Sequence, residues 1–354
     1  MDVALFDFEL PPGRIAQEAV EPRDAARLLV LDRARGELRH HRVADLPRLL
    51  ASGDLLVVND TRVAPARLFA RRATGGRVEL LLLEAAGTDG RGERWRALVG
   101  ASRAPRRGEP LALPGGYVAA LLEAPGAGDE AGAALVRIEG PGTVAALAAA
   151  HGGLPLPPYI RRGPDDPRSV RDRERYQTVF AADEGALAAP TAGLHFTRGL
   201  LARLEEAGIA RTAVTLHVGE GTFRPVRVGR TEEIALHPER FTLPAAACDA
   251  IAAARARGGR VVAVGTTVVR TLESRAARGD GAPEPGTGET ALFVAPGHRF
   301  RFVDALVTNF HLPRSTLLML VAAFAGRERV LEAYGEAIAA GYRFYSYGDA
   351  MLVL

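Results

Sequence analysis

At 354 residues, 47% hydrophobic and 25% charged, the chain has the balance of a folded protein, which excludes a disordered polypeptide and leaves room for about two domains. Its formal charge of +3 is carried without lysine, all 45 basic residues being arginine, so a nucleic-acid partner is permitted but not demonstrated. The single cysteine, Cys248, excludes an internal disulfide. The acidic N-terminus lacks a signal-peptide pattern and the longest apolar run, 317–325, is too short for a bilayer, so a soluble cytoplasmic protein with no membrane partner is expected.

Two textures alternate along the chain. Residues 1–61 and 155–354 read as an α/β domain, with short apolar runs each followed by a loop and a helical pattern. "DLLVVNDT" (54–61) is its first clear strand candidate. The stretch 62–154 reads as an inserted small β-barrel domain. "RLFARRATGGRVELLLLE" places two strand-like runs around Thr74-Gly75-Gly76, and "RWRALVG", "PLALPG", "YVAALLEA" and "AALVRIEG" follow between Gly/Pro turns, with a hairpin tip at 125–134. Beyond it, "RTAVTLHVGEGTF" (211–223) is a strand candidate, and "LPAAACDAIAAARARG" a helix carrying Cys248. "RVVAVGTT" (260–267) leads into a helix, and "DALVTNFHLP" (304–313) into another, with Ser315 as N-cap and Gly326 as stop. Repeated strand, loop and helix predict a mixed, largely parallel sheet with helices, interrupted by the barrel.

In an open α/β sheet, ligands bind beyond the carboxyl ends of the strands. The polar groups there are Asn59-Asp60-Thr61-Arg62, Thr191 to Phe196, His217 to Thr222, Gly265-Thr266-Thr267 and Asn309-Phe310-His311. Glycine beside a polar residue lets backbone N–H groups approach a ligand, and a helix N-terminus favours a carboxylate or phosphate. In "VGTTVVRT", Thr266 or Thr267 has the form of a cap, with Arg270 in the first turn. Each has a plain structural reading too: His195, His217, His311 or Asn309 as loop caps, Arg270 and Glu220 as ion-pair partners. Two matches to G-x-G-x-x-A, starting at Gly126 and Gly286, do not sit between a strand and a helix and carry no dinucleotide signal.

Charge is unevenly placed. Eleven arginines against four carboxylates between residues 62 and 107 leave +7, so the remainder of a +3 chain is net −4. Arg71, Arg72, Arg106 and Arg107 in that stretch, and Arg161 and Arg162 in "YIRR", are candidate contacts to a phosphate backbone. "YRFYSYGDAML" (342–352) brings Tyr342, Phe344, Tyr345 and Tyr347 near Asp349, a pattern of a core strand with a polar end.

Taken together these segments resemble a known family. "LPLPPYIRR", "AAPTAGLHFT", "TLHVGEGTFRPV", "AVGTTVVRTLES", "TNFHLPRSTLLMLVAAFAG" and "YRFYSYGDAML", with "FDFELPPGRIAQ", "RDAARLLVLDR" and "VVNDTRVAPARLF" before them, are similar to the S-adenosylmethionine:tRNA ribosyltransferase-isomerases of queuosine biosynthesis. The departures, "IALHPERF" around His237 and a Gly/Pro-rich stretch at 275–290, fall outside the blocks assigned to chemistry. The resemblance implies an α/β domain interrupted by a barrel. It implies transfer and isomerisation of the ribosyl part of S-adenosylmethionine onto 7-aminomethyl-7-deazaguanine, at the wobble position of tRNAs with a GUN-type anticodon. Adenine and methionine are released, S-adenosylmethionine is a consumed substrate, and no metal or other cofactor is expected; the protein is expected to be a monomer.

That chemistry needs a base for a C5′ hydrogen made acidic by the sulfonium, an acid near adenine and an anchor for the methionine carboxylate. His217, Glu220 and His195 are nominated for acid/base work, with Asp349 fixing an orienting hydrogen bond. Thr266, Thr267 and Arg270 are nominated for the carboxylate, and Asn309 and His311 for ribose or adenine. Two rival readings are a tRNA methyltransferase using the same substrate and a non-catalytic RNA-binding protein. Against the first, no G-x-G turn follows the first strand, and the second leaves the Gly/polar loops unexplained.

Overall fold

Apolar runs bounded by glycine, proline and acidic residues become strands, and Thr143, Thr197 and Ser315 open helices as side-chain caps. The computed structural model describes residues 1–126, 132–162, 166–219, 221, 226–276 and 283–354. The chain opens with β1 (Arg27–Asp32), β2 (Glu37–Arg42), α1 (Leu46–Leu49), β3 (Leu55–Asn59) and β4 (Thr61–Val63). Then come β5 (Arg67–Arg71), β6 (Arg77–Thr88), β7 (Glu93–Gly100), β8 (Leu111–Ala112), β9 (Val118–Glu123), β10 (Ala134–Glu139) and α2 (Val144–His151). They are followed by α3 (Arg168–Arg175), β11 (Asp183–Ala186), α4 (Arg198–Glu206), β12 (Ala210–Leu216), β13 (Glu239–Leu243), α5 (Ala245–Ala256), β14 (Val261–Val264) and α6 (Thr266–Ser274). The chain ends with β15 (Gly286–Thr290), β16 (Ala305–Asn309), α7 (Thr316–Ala325), α8 (Arg327–Ala339) and β17 (Ala350–Val353). Two units result, residues 1–62 with 157–354, and residues 63–156.

The larger unit is built on a mixed sheet of nine strands among the described residues, in the order β15-β13-β12-β3-β14-β16-β17-β1-β2. Its centre, β12-β3-β14-β16, is parallel; antiparallel pairs flank it at β13 and β17. Alternation on these strands sorts two cores. Leu55, Val57, Val261, Ala263, Leu306 and Met351 face α5, α6, α7 and α8. Leu56, Val58, Val262, Val264, Val307 and Leu352 face α1, α4 and Phe196. A sheet buried on both faces is why its strands read as unbroken apolar runs. Cys248 is buried in the first of these layers.

The smaller unit is a closed barrel in the order β10-β7-β6-β5-β8-β9, every neighbour antiparallel. Leu68, Ala70, Val78, Leu80, Leu121, Val136 and Ile138 fill it, alternating with partly or fully exposed residues. The expected hairpin tip at 125–134 falls partly outside the described residues.

Two expectations need correction. The strand sought over 211–223 ends at Leu216, where the Asn59 Oδ1 accepts the Leu216 N–H at 3.0 Å and its Nδ2 donates to the Leu216 carbonyl at 3.0 Å; residues 220 and 222–225 lie outside the described residues. Thr266 and Thr267 do not cap α6 but form its first two residues. The N-cap is Gly265 at φ +94°, a left-handed conformation open to glycine, and it offers no side-chain cap. Ser315 and Gly326 take their expected places; the Ser315 hydroxyl accepts the Leu318 N–H, and Gly326, at φ +85°, ends α7.

Candidate functional site

Parallel strands deliver their carboxyl ends to one edge. Ala263 pairs with Val57 on one side and Leu306 on the other, so two residues onward Asn59, Gly265 and Thr308 stand level, with Asn309 next to follow. β17 runs the other way and brings Tyr345 and Ser346 to the same edge. A cleft opens there, with about 660 Å³ of atom-free space when its open mouth is included. Thr266, Thr267, Asn309 and His311 line it together, joined by Thr308, Ser315 and Ser346. Tyr159 and Tyr345 form an aromatic wall, ring centroids 4.6 Å apart, pinned by a 2.6 Å hydrogen bond between the Tyr159 and Ser346 hydroxyls.

No Asp, Glu, Arg or Cys is among these lining residues. A carboxylate entering the cleft would meet backbone N–H groups instead. The first turn of α6 has no side-chain cap, and its donors and partial positive charge lie where Thr266 and Thr267 line the wall. Tyr345 adopts φ +71°, a left-handed backbone rare outside glycine and a form of strain that gathers at ligand sites.

The histidines separate by environment. His195, at the end of a 3-10 turn (Thr191–His195), sits behind the cleft wall with its Nε2 3.1 Å from Asn309 Nδ2. Burial first, then Arg343 and Arg23, push its pKa down to about 4. His311 lines the cleft, its Nε2 2.8 Å from the Thr308 hydroxyl, and burial lowers its pKa to about 3. Both are therefore neutral at pH 7. The unfolded chain takes up these protons below about pH 6.5, whereas the folded protein does not until pH 4 to 3. The stability from their neutral burial is complete above pH 6.5 and is lost as pH falls through that window, with a limiting slope of about 1.4 kcal/mol per pH unit for each histidine. Urea unfolding at pH 6 and 4.5 checks this: His195→Gln is expected to flatten the loss by about one such slope, and an unchanged loss would contradict it.

His217 does not line the cleft; its neighbour Val218 does. Its Nδ1 lies 2.9 Å from the Thr61 hydroxyl, and no hydrogen bond to Nε2 is found among the described residues. Burial, opposed by Asp183 and assisted by Arg240, lowers its pKa, so it too is a neutral acceptor at pH 7. Asp60, held by a 2.7 Å hydrogen bond from Thr215 and raised in pKa by burial, adds a nearby negative charge. Gly185 makes this packing possible, since a Cβ there would stand 2.8 Å from His217 Nδ1. Glu220, the carboxylate nominated beside it, lies outside the described residues.

Other nominated residues are engaged away from the cleft. Arg270 does not point into the first turn at the cleft; it forms a buried ion pair with Glu239 and donates to the carbonyls of Leu292 (3.0 Å) and Thr290 (3.3 Å). Glu239 in turn accepts the Gly219 N–H at 2.8 Å, which ties α6 to the loop after His217. Asp349 uses one oxygen for the Arg27 N–H and the other for the Arg343 N–H, at 2.9 and 2.8 Å, closing the turn before β17.

The arginines divide likewise. In the barrel, Arg72 grips Glu109 with two bonds of 2.7 and 2.9 Å and is committed, while Arg71, Arg106 and Arg107 are exposed. The exposed Phe69 ring carries the Arg77 guanidinium 3.7 Å above its centre, a stacking surface that charge counting missed. In the other unit Arg161 is exposed. Arg162 is buried against Asp172, at 2.6 and 3.1 Å, and Asp172 also accepts the Tyr347 hydroxyl at 2.8 Å. Glu239 and Gly185 had no motif to announce them; their contacts exist only once β12, β13 and β11 are assembled. No group of three or more His, Cys, Asp or Glu among the described residues is arranged to hold a metal ion, and no helix there is long and apolar enough to cross a membrane.

A family model described as a queuosine biosynthesis protein matches residues 3–353. An S-adenosylmethionine:tRNA ribosyltransferase-isomerase of Anaeromyxobacter sp. (strain K) is 57% identical, the alignment covering 100% of this chain and 99% of the relative. One from Moorella thermoacetica is 52% identical over the full length of both. A crystal structure of S-adenosylmethionine tRNA ribosyltransferase from Thermotoga maritima is 38% identical, with a TM-score of 0.55 over 99% of this chain and 100% of that one.

Proposed function

The chain belongs to the queuosine biosynthesis protein family, and from that premise we infer that it transfers and isomerises the ribosyl part of S-adenosylmethionine onto 7-aminomethyl-7-deazaguanine in tRNA. The observation that carries this reading is the match over the whole chain, which spans every loop of the cleft. The reaction yields epoxyqueuosine-tRNA, adenine and methionine. S-adenosylmethionine is consumed, and no metal or redox cofactor enters the scheme. The acceptor tRNAs carry a GUN-type anticodon, and the protein acts as a cytoplasmic monomer.

The lining of the cleft supports a part for each portion of the substrate. The methionine carboxylate meets the uncapped first turn of α6 beside Thr266 and Thr267. Adenine lies toward Tyr159, Tyr345 and Asn309. His217, neutral, held at Nδ1 by the Thr61 hydroxyl and next in the chain to the cleft residue Val218, is the base for the C5′ proton. Loss of that proton allows the sugar to expel adenine. The neutral aminomethyl nitrogen then bonds to the sugar carbon, and epoxide closure breaks the bond to sulfur. Exposed Arg71, Arg106, Arg107 and Arg161 are the phosphate contacts of the tRNA.

Incubation with S-adenosylmethionine and tRNA bearing the aminomethyl base tests this. Adenine and methionine are expected in equal amounts, dependent on the modified tRNA. S-adenosylhomocysteine in their place would overturn the reading in favour of methyl transfer, and tight tRNA binding without turnover would make the protein a binding module.

A further inference from the structure

Two buried asparagines end β3 and β16, the parallel strands on either side of β14, and they differ in one atom. Asn59 has every group in use: Nδ2 donates to the Leu216 carbonyl (3.0 Å) and the Thr267 hydroxyl (3.2 Å), and Oδ1 accepts the N–H groups of Leu216 (3.0 Å) and Thr61 (3.1 Å). Asn309, equally buried, commits both of its N–H groups, one to the Tyr345 carbonyl and one to His195 Nε2, each at 3.1 Å. Its Oδ1 is buried and has no hydrogen-bond partner among the described residues.

The orientation of this amide is forced. A carbonyl only accepts, so the face toward Tyr345 must be the NH₂ group, and the remaining N–H makes His195 Nε2 an acceptor. The proton of His195 is then on Nδ1, which agrees with its neutral, buried state. Buried polar atoms are almost always paired, and an orphan amide oxygen on the wall of a cleft is an acceptor waiting for a donor. Because Nδ2 is fully used, Asn309 can read only a ligand N–H or O–H, never an acceptor. Its tie to Tyr345 sets it beside the aromatic wall, where the face of a purine would lie and where the amine projects from the edge of that ring.

We propose that Asn309 Oδ1 accepts a hydrogen bond from the exocyclic amine of the adenine of S-adenosylmethionine, and so selects an aminopurine over a 6-oxopurine, with His195 as a positioning residue that holds the amide in this orientation. This rests on the reading of the cleft as the S-adenosylmethionine site. A 6-oxopurine would place one oxygen against another at this point.

Calorimetric titration of the full chain with S-adenosylhomocysteine and with S-inosylhomocysteine provides the test. The unaltered protein is expected to bind the inosyl compound at least about 30-fold more weakly. In Asn309→Ala, or Asn309→Ser should the alanine variant not fold, the ratio is expected to fall to within about 3-fold. A ratio near one in the unaltered protein, or a large ratio that survives in the variant, overturns the proposal. Failure of S-adenosylhomocysteine itself to bind the unaltered protein would instead overturn the reading of the cleft on which it rests.

Discussion

Replacing Arg270 with Met is expected to lower the unfolding free energy by about 3–5 kcal/mol, because it breaks a buried ion pair by removing the guanidinium that faces the Glu239 carboxylate. Both side chains are more than nine-tenths buried, so solvent cannot take over the role of the guanidinium. The damage should also reach the loop after His217, since Glu239 holds the Gly219 N–H. Urea unfolding measures it, and Glu239→Gln in the same chain should recover part of the loss. The experiment also decides between two roles for Arg270. An anchor for the methionine carboxylate would show a raised KM in a protein of normal stability; a loss below about 1 kcal/mol would therefore contradict the structural role.

His217→Ala is expected to lower turnover by about 10²–10⁴-fold, the usual contribution of a positioned general base, while the affinity for tRNA changes little. The pH profile carries the sign. A base must be unprotonated, and burial holds the pKa of His217 below its ordinary 6.5, so activity should be flat between pH 7 and 8 and fall only below about 6.5. Thr61→Val should cost less, because it loosens the ring without removing it. Gly185→Ala drives a methyl group into the imidazole and should approach the effect of losing it. Activity of His217→Ala above about a third of normal would move the base elsewhere.

The layers were legible because alternation and breaks are local properties. Leu55 to Val58 face two cores in turn, and "DALVTNFHLP" followed by Ser315 could hardly be anything but a strand entering a helix. Four residues of the cleft wall were legible for the same reason: Thr266, Thr267, Asn309 and His311 lie at or just beyond the ends of strands whose carboxyl ends share one edge. What sequence could not reveal was which way a side chain turns after the strand ends. His217 and Val218 are neighbours, yet only Val218 lines the cleft. Arg270 looks like a first-turn anchor in one dimension, but it is carried toward β13 and β15 by the pitch of α6. Asp349, surrounded by tyrosines in sequence, spends both oxygens on backbone N–H groups brought by β1 and by its own turn. Arg162 and Arg72 illustrate the same limit for charge: a basic residue counts toward a phosphate surface only if no carboxylate has claimed it.

On the proposed function, the cleft at the carboxyl edge of β14 and β16 binds S-adenosylmethionine. The measurement that bears on it most directly is a crystal structure with S-adenosylhomocysteine, which lacks the sulfonium and cannot enter the reaction. Density is predicted with the carboxylate on the first turn of α6 and the adenine beside Tyr159, Tyr345 and Asn309. Ligand density elsewhere on the chain, with this cleft left empty, would rule the cleft out as the S-adenosylmethionine site.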